Sequence, residues 1–251
     1  MTAHLHERLQ QGELVLGILL SLNSPDVAEI LSKTGFDWLF IDGEHGTFDP
    51  SELQAVLQAA GGNIECVFRI PALEEVHIKK ALDVGANGLI APQVNTAEQA
   101  QHLVQWSRYP PQGTRGLGFA RAQGYGFEVN EYLGSANETI TLIAQAESAE
   151  AVKNIEAIVQ VDGLDAILVG PYDLSSSLGR PGEVTHPEVQ EAIRRVASVC
   201  QEANMPVGIF GMTAEAVRPY IEQGFRLIVV GVDTVLLGNA ARLLLQQLRE
   251  A

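Results

Sequence analysis

Five short stretches of this chain carry side chains that can do chemistry. Asp42-Gly43-Glu44-His45 puts two carboxylates and an imidazole next to one another, Arg69 ends Cys66-Val67-Phe68, and Gln93 ends a similar run. Further on stand Gln145-Ala146-Glu147 and Gly170-Pro171-Tyr172-Asp173. Glu147 and Asp173 are candidates for a shared metal site, because two carboxylates completed by water and substrate oxygens suit Mg²⁺ or Mn²⁺. Zinc is disfavoured, since neither a cysteine nor a second histidine accompanies them. Each carboxylate also reads as a cap for the helix that follows it. His45 is the acid/base candidate, with flanking acids to set its tautomer and raise its basicity; a structural histidine bonded to a loop carbonyl is the alternative. Arg69 offers a fork suited to a carboxylate or enolate oxygen, or equally a salt bridge to Asp42 or Glu44.

Other chemistries lack their parts. There is no G-x-S-x-G, H-E-x-x-H or G-x-x-x-x-G-K-[ST] sequence. The lysines Lys33, Lys79, Lys80 and Lys153 all read as helical, so Schiff-base aldol chemistry is disfavoured. His4 and His6 read as part of a polar N-terminal arm, and His77, His102 and His186 as surface residues of helices or loops.

The elements that must position these groups recur. Short apolar, β-branched runs occupy Leu14–Ser21, Trp38–Asp42, Cys66–Ile70, Gly88–Gln93, Ile140–Glu147, Ala166–Gly170, Pro206–Phe210 and Leu227–Gly231. Little polar alternation marks them as parallel strands covered on both faces. Between them lie helix signals such as Ser24-Pro25-Asp26, Asp49-Pro50 and Thr96, with Gly35, Gly61, Gly85 and Gly224 closing helices. Eight alternations predict a (β/α)₈ TIM barrel, one domain spanning 1–251, rather than a doubly wound sheet. Gly116-Leu117-Gly118 lacks the third glycine and the preceding strand of a dinucleotide fingerprint. In a barrel the strand C-termini carry the active site, and the five stretches all fall there. The irregular Tyr109–Tyr132 stretch, with Arg115 and Arg121, reads as a substrate-facing loop.

Composition narrows the partners. Hydrophobic residues make up 46% and charged residues 19%, enough apolar material for a core. A net charge of −15 argues against nucleic acid or an anionic membrane. Cys66 and Cys200 lack metal or redox spacing and read as buried thiols in a reducing compartment. The N-terminus is too polar for a signal peptide, and no apolar run approaches the roughly 18 residues of a membrane span, so a cytoplasmic location is expected.

In order along the chain, Phe36–His45, Arg69-Ile70-Pro71, Gly85-Ala86-Asn87-Gly88, Pro92-Gln93, Arg115-Gly116, Gln145-Ala146-Glu147 and Val169–Ser175 resemble the metal-dependent (class II) pyruvate aldolases. These include the 4-hydroxy-2-oxoheptanedioate and 2-dehydro-3-deoxyglucarate aldolases of the phosphoenolpyruvate/pyruvate-domain superfamily. The resemblance runs from about Gly17 to Gly238. It implies reversible aldol cleavage of a 4-hydroxy-2-oxo acid to pyruvate and an aldehyde. Glu147 and Asp173 would ligate Mg²⁺ or Mn²⁺, with Co²⁺ as a third candidate. Gln145 would line the pyruvyl pocket, Arg69 would meet the enolate oxygen, and His45 would be the acid/base. Asp42 and Asp83 match acidic residues near His45, Asp83 approaching from a neighbouring subunit. The backbone around Tyr172-Asp173 would hold the carboxylate.

Two departures leave the aldehyde open: Tyr172 replaces a common alanine, and the Arg115–Gly124 loop is shorter than in diacid-cleaving members. The segment Val235–Leu245 is apolar over more than one helical face. As in the resembled family, exchange of this helix between subunits would build a homo-oligomer, a hexamer. Two rival readings are a coenzyme A thioester lyase of the citryl/malyl type and a non-enzymatic oxo-acid binding protein.

Overall fold

The computed structural model describes residues 4–250. Within them, eight parallel strands close into a barrel in chain order. The first half reads α1 (Leu5–Gln10), β1 (Val15–Leu20), α2 (Pro25–Leu31), β2 (Trp38–Asp42), α3 (Pro50–Ala60), β3 (Glu65–Arg69), α4 (Glu75–Asp83) and β4 (Gly88–Ala91). Next come α5 (Ala97–Ser107), α6 (Val129–Thr139), β5 (Thr141–Ala146), α7 (Ala149–Ile158), β6 (Ala166–Val169) and α8 (Pro171–Ser177). The chain continues through α9 (Pro187–Glu202), β7 (Val207–Gly211), α10 (Ala214–Glu222), β8 (Leu227–Val232) and α11 (Asp233–Arg249). The expected (β/α)₈ barrel is the observed architecture.

The strands are apolar because both faces are covered. Every residue of β2, β4, β5 and β6 is buried. One apolar cluster fills the shell between barrel and helices, and a second fills the barrel interior, where Trp38 stacks on Phe40 at 6.1 Å. Gly17 makes room for that stack, since a Cβ there would lie 2.4 Å from the indole. Capping boxes open α3 (Asp49 with Glu52) and α5 (Thr96 with Gln99), as the sequence signals require.

Three expectations change. The polar N-terminal arm is helix α1, whose Leu5 and Leu9, one helical turn apart, are buried in the barrel-interior cluster. Its histidines pair with residues at the strand N-termini: His6 Nδ1 lies 2.7 Å from Asp165 Oδ1, and His4 Nδ1 lies 3.2 Å from Glu65 Oε1. Lys33 sits in the turn after α2 rather than inside a helix.

The third change concerns the Tyr109–Tyr132 stretch. It follows α5 and leads to β5, so within the chain it lies at the N-terminal end of the barrel, opposite the strand C-termini. Arg115 is buried there, 3.0 Å from Asp83 and between the rings of Tyr109 (4.7 Å) and Tyr132 (5.5 Å). Arg121 donates to the Val84 carbonyl at 2.9 Å. In this chain neither arginine faces a substrate at the strand C-termini. Among the described residues, no helix is long and apolar enough to cross a membrane.

Candidate active site

The β2 and β3 ends build one wall of the site. Arg69 donates from Nε to Asp42 Oδ1 at 2.9 Å and from Nη2 to Oδ2 at 2.7 Å, and its Nη1 lies 3.0 Å from Glu44 Oε2. Its guanidinium rests on the Phe40 ring, 5.1 Å from the centroid. Burial pulls the Arg69 pKa down, but the bonds to Asp42 and the charges of Asp42, Glu44 and Glu147 outweigh it and leave it raised. Asp42 Oδ1 also accepts the backbone N–H groups of Glu44 (3.1 Å) and His45 (3.2 Å), which fixes the turn carrying His45. Glu44 is itself raised by burial, against the pull of Arg69. The His45 ring is largely exposed at the rim, its Nε2 3.9 Å from Glu44 Oε2.

The β4, β5 and β6 ends build the second wall. Glu147 is buried; its Oε1 accepts the Gln93 N–H at 2.7 Å, and its Oε2 accepts from Gln145 Nε2. Gln93 aims that N–H from a left-handed conformation, φ 52°. Burial pushes the Glu147 carboxyl up to about 7, opposed by the Gln93 bond and reinforced by the charges of Asp173 and Glu44. Gln145 Oε1 is buried with no partner. Gly170 lets these groups crowd the β6 end: a Cβ there would lie 2.8 Å from both Gln145 Nε2 and Glu147 Oε2. Asp173 stands in the first turn of α8.

The two walls enclose a cavity of about 330 Å³ at the strand C-termini, lined by Asp42, His45, Arg69, Gln145, Tyr172 and Asp173 among others. That arrangement can hold a small anion or oxo acid against Arg69 and the Gln145 amide, with an imidazole at the mouth. The HpcH/HpaI aldolase/citrate lyase family profile matches residues 16–240. The chain belongs to the HpcH/HpaI aldolase/citrate lyase family.

Relatives at this level are named aldolases, that is, carbon–carbon lyases. The 4-hydroxy-2-oxovalerate aldolase of Rhodococcus jostii is 40% identical over 92% of this chain and 90% of its own length. The 2-keto-3-deoxy-L-rhamnonate aldolase of Salmonella gallinarum is 39% identical over 93% of this chain and 88% of its own length. A solved HpcH/HpaI aldolase/citrate lyase family protein from Burkholderia cenocepacia superposes with a TM-score of 0.94, at 39% identity and 98% coverage of both chains.

Of the residues singled out in the sequence, this family member brings Asp42, His45, Arg69, Gln145, Tyr172 and Asp173 to the cavity, with Glu147 bonded to Gln145 behind it. Asp83 is not among them. It ends α4 at the other end of the barrel, paired with Arg115, and does not reach the cavity of its own chain. Arg69 satisfies the salt-bridge alternative with both Asp42 and Glu44. The sequence reading missed Phe40 under Arg69, the Gln93 N–H on Glu147, and Asp233. The buried Asp233 carboxylate accepts from Ser21 Oγ (2.7 Å) and the Leu22 N–H (2.8 Å), closing the β1 end of the mouth. An acid opening a helix directly after a strand, as in Asp233-Thr234, was the available signal.

Proposed function

We propose that this chain, acting as one barrel domain over residues 1–251, is a metal-dependent pyruvate aldolase that reversibly cleaves a 4-hydroxy-2-oxo acid. The observation that carries the reading is the convergence of Arg69, Gln145, Asp173 and His45, from four strand ends, on one cavity. Glu147 and Asp173 would hold a divalent cation. Among the described residues no group of three or more His, Cys, Asp or Glu has metal-holding geometry, so water and substrate oxygens would have to complete the shell of these two carboxylates. The orphaned Gln145 Oε1 and a Glu147 carboxyl held at about 7 fit a hard cation, which would relieve both. Mg²⁺ and Mn²⁺ are the favoured ions, with Co²⁺ as a substitute. Such an ion supplies Lewis-acid polarisation of the 2-oxo group.

The chain's own residues do the rest. Gln145 and the backbone at Tyr172-Asp173 orient the oxo-acid head. His45 removes the C4-hydroxyl proton, the C3–C4 bond breaks, and the aldehyde leaves with the C4 carbon. The bond's electron pair stays on the pyruvyl fragment as an enolate, whose oxygen Arg69 neutralises. Protonation at C3 gives pyruvate. Asp42 holds Arg69 and the His45 turn in register. A coenzyme A thioester is disfavoured, because its several phosphate charges would meet one cation: Arg69 is the one Lys or Arg among the described residues lining the cavity. The free, buried Cys66 and Cys200 thiols fit a reducing, cytoplasmic setting.

The decisive experiment incubates the protein with pyruvate, a panel of aldehydes and Mg²⁺ or Mn²⁺, and measures aldol product. Product that disappears with excess chelator and returns with metal is expected. Full turnover in chelator, or a lysine adduct trapped by borohydride, would overturn the metal assignment.

A further inference from the structure

The charged groups of the cavity are confined to one arc of the barrel. They come from β2, β3 and the first turn of α8, joined by the Gln145 amide from β5. The opposite arc, β7–β8–β1, contributes Phe210, Val232 and Leu19. The β1–β8 register sets Leu19 directly beside Val232. Over this arc leans Tyr172, its ring 6.1 Å from that of Phe210 at a tilt of 56°. Among the described residues, Ser21, directly after β1, is the one aliphatic hydroxyl lining the cavity on this arc, and its proton is committed to Asp233.

We propose that the Tyr172–Phe210 pair, with Leu19 and Val232, selects aldehydes bearing an uncharged, apolar substituent; the inference rests on the aldol reading above. The substrate's ends are opposite in character. Its oxo-acid head belongs on the Arg69 and Gln145 arc, so the substituent on C4 extends toward the apolar arc. In the synthetic direction the pyruvate methyl loses a proton, C3 bonds the aldehyde carbon, and the aldehyde oxygen takes up a proton. The substituent changes no bond and acts only through contact with the wall. A carboxylate there would lose its water against Leu19, Val232 and Phe210, and among the described residues no Lys or Arg lines the cavity on that arc. An alkyl or aryl substituent gains the wall as contact surface. Tyr172 beside Phe210 makes that wall aromatic on two sides.

The test uses the intact, metal-supplemented protein with pyruvate and two aldehydes of similar shape, 4-methylpentanal and succinic semialdehyde. The wild type is expected to favour 4-methylpentanal at least about tenfold in kcat/KM, the scale of discrimination set by an unpaired polar group in an apolar pocket. Phe210→Arg should reverse or erase that ratio, and Phe210→Leu, the milder variant for use if the arginine variant does not fold, should lower it about threefold. Each ratio is taken within one variant, so a general loss of activity cancels. Equal use of both aldehydes by the wild type, or a ratio unmoved in the folded variants, overturns the wall. Oxaloacetate decarboxylation by the wild type separates the two failures, because it needs the enolate site and no aldehyde. Decarboxylation without aldehyde discrimination sinks the wall alone. Absence of both activities sinks the aldol reading and the wall with it.

Discussion

The Arg69 guanidinium and the Asp42 carboxylate form a two-point bridge, 2.9 and 2.7 Å, with both side chains buried at the barrel mouth. The pair holds the cation in place for an enolate oxygen and, through the same Asp42 oxygen, holds the turn that carries His45. One acid therefore positions two groups that act at different atoms of the substrate.

Asp42→Asn is accordingly expected to cost more than one ion pair. The amide keeps one acceptor but presents a donor to Arg69, leaving a buried guanidinium with Glu44 alone. Breaking a buried pair costs about 3 kcal/mol of stability, read as a lower urea midpoint. The kcat for aldol cleavage should fall at least about a hundredfold with a small change in KM, because Arg69 serves the enolate more than the ground state. A variant with wild-type kcat would remove Asp42 from the positioning role.

Glu147 gives a pH dependence with a definite sign. Its folded pKa is raised from 4.5 to about 7, so between those values the folded state binds more protons than the unfolded one. Stability of the metal-free protein should therefore be highest near pH 4.5 as regards this group and fall as pH rises through 7. The full effect is about 3 kcal/mol. Glu147→Gln should flatten that slope, measured as thermal midpoint against pH, and should lose metal-dependent turnover. Added Mn²⁺ should stabilise the wild type more at pH 8 than at pH 6, because the ion competes with the proton. A midpoint of the wild type that rises from pH 5 to 8 with the Gln variant parallel to it would contradict the buried-acid account.

What the sequence made legible follows physical lines. Apolar runs with little polar alternation, such as Trp38–Asp42 and Ile140–Glu147, mark strands buried on both faces, and the rule that barrel chemistry lies at strand C-termini then picks out Arg69, Gln145 and Asp173. Helix α1 was hidden because its two buried leucines are diluted by polar neighbours in a six-residue helix. The Arg115 segment, which reads as a substrate-facing loop, lies away from its own chain's cavity because it follows α5 and not a strand, and a helix-to-strand connection returns to the barrel's N-terminal end. The Gln93 N–H on Glu147 carries no side-chain signature at all; only the left-handed backbone produces it.

His45 should separate two reactions that share an enolate. Aldol cleavage requires removal of the C4-hydroxyl proton, whereas decarboxylation of oxaloacetate generates the enolate with no such proton to remove. His45→Ala is expected to lower aldol kcat at least about a hundredfold, within the range for a lost general base, while decarboxylation persists. Equal loss of both would point to a binding role for the exposed ring.

The outer face of α11 carries the assembly prediction. Leu237, Leu244 and Leu248 are 65%, 61% and 71% exposed in the single chain, and Phe119 and Phe127 are exposed beside the Asp83 end of the barrel. So much uncovered apolar surface favours a homo-oligomer, the resemblance pointing to a hexamer built by exchange of α11. Asp83 supplies a functional readout, since in its own chain it lies at the far end from the cavity, bound to Arg115. If a neighbour's Asp83 completes each site, Asp83→Ala and His45→Ala proteins should both be nearly inactive alone. Co-refolded mixtures should then regain activity, because some sites combine an intact His45 with an intact neighbouring Asp83. Light scattering should give a mass several times that of the chain, reduced by Leu244→Glu. A monomer at micromolar concentration, or mixtures no more active than their parts, would exclude shared sites.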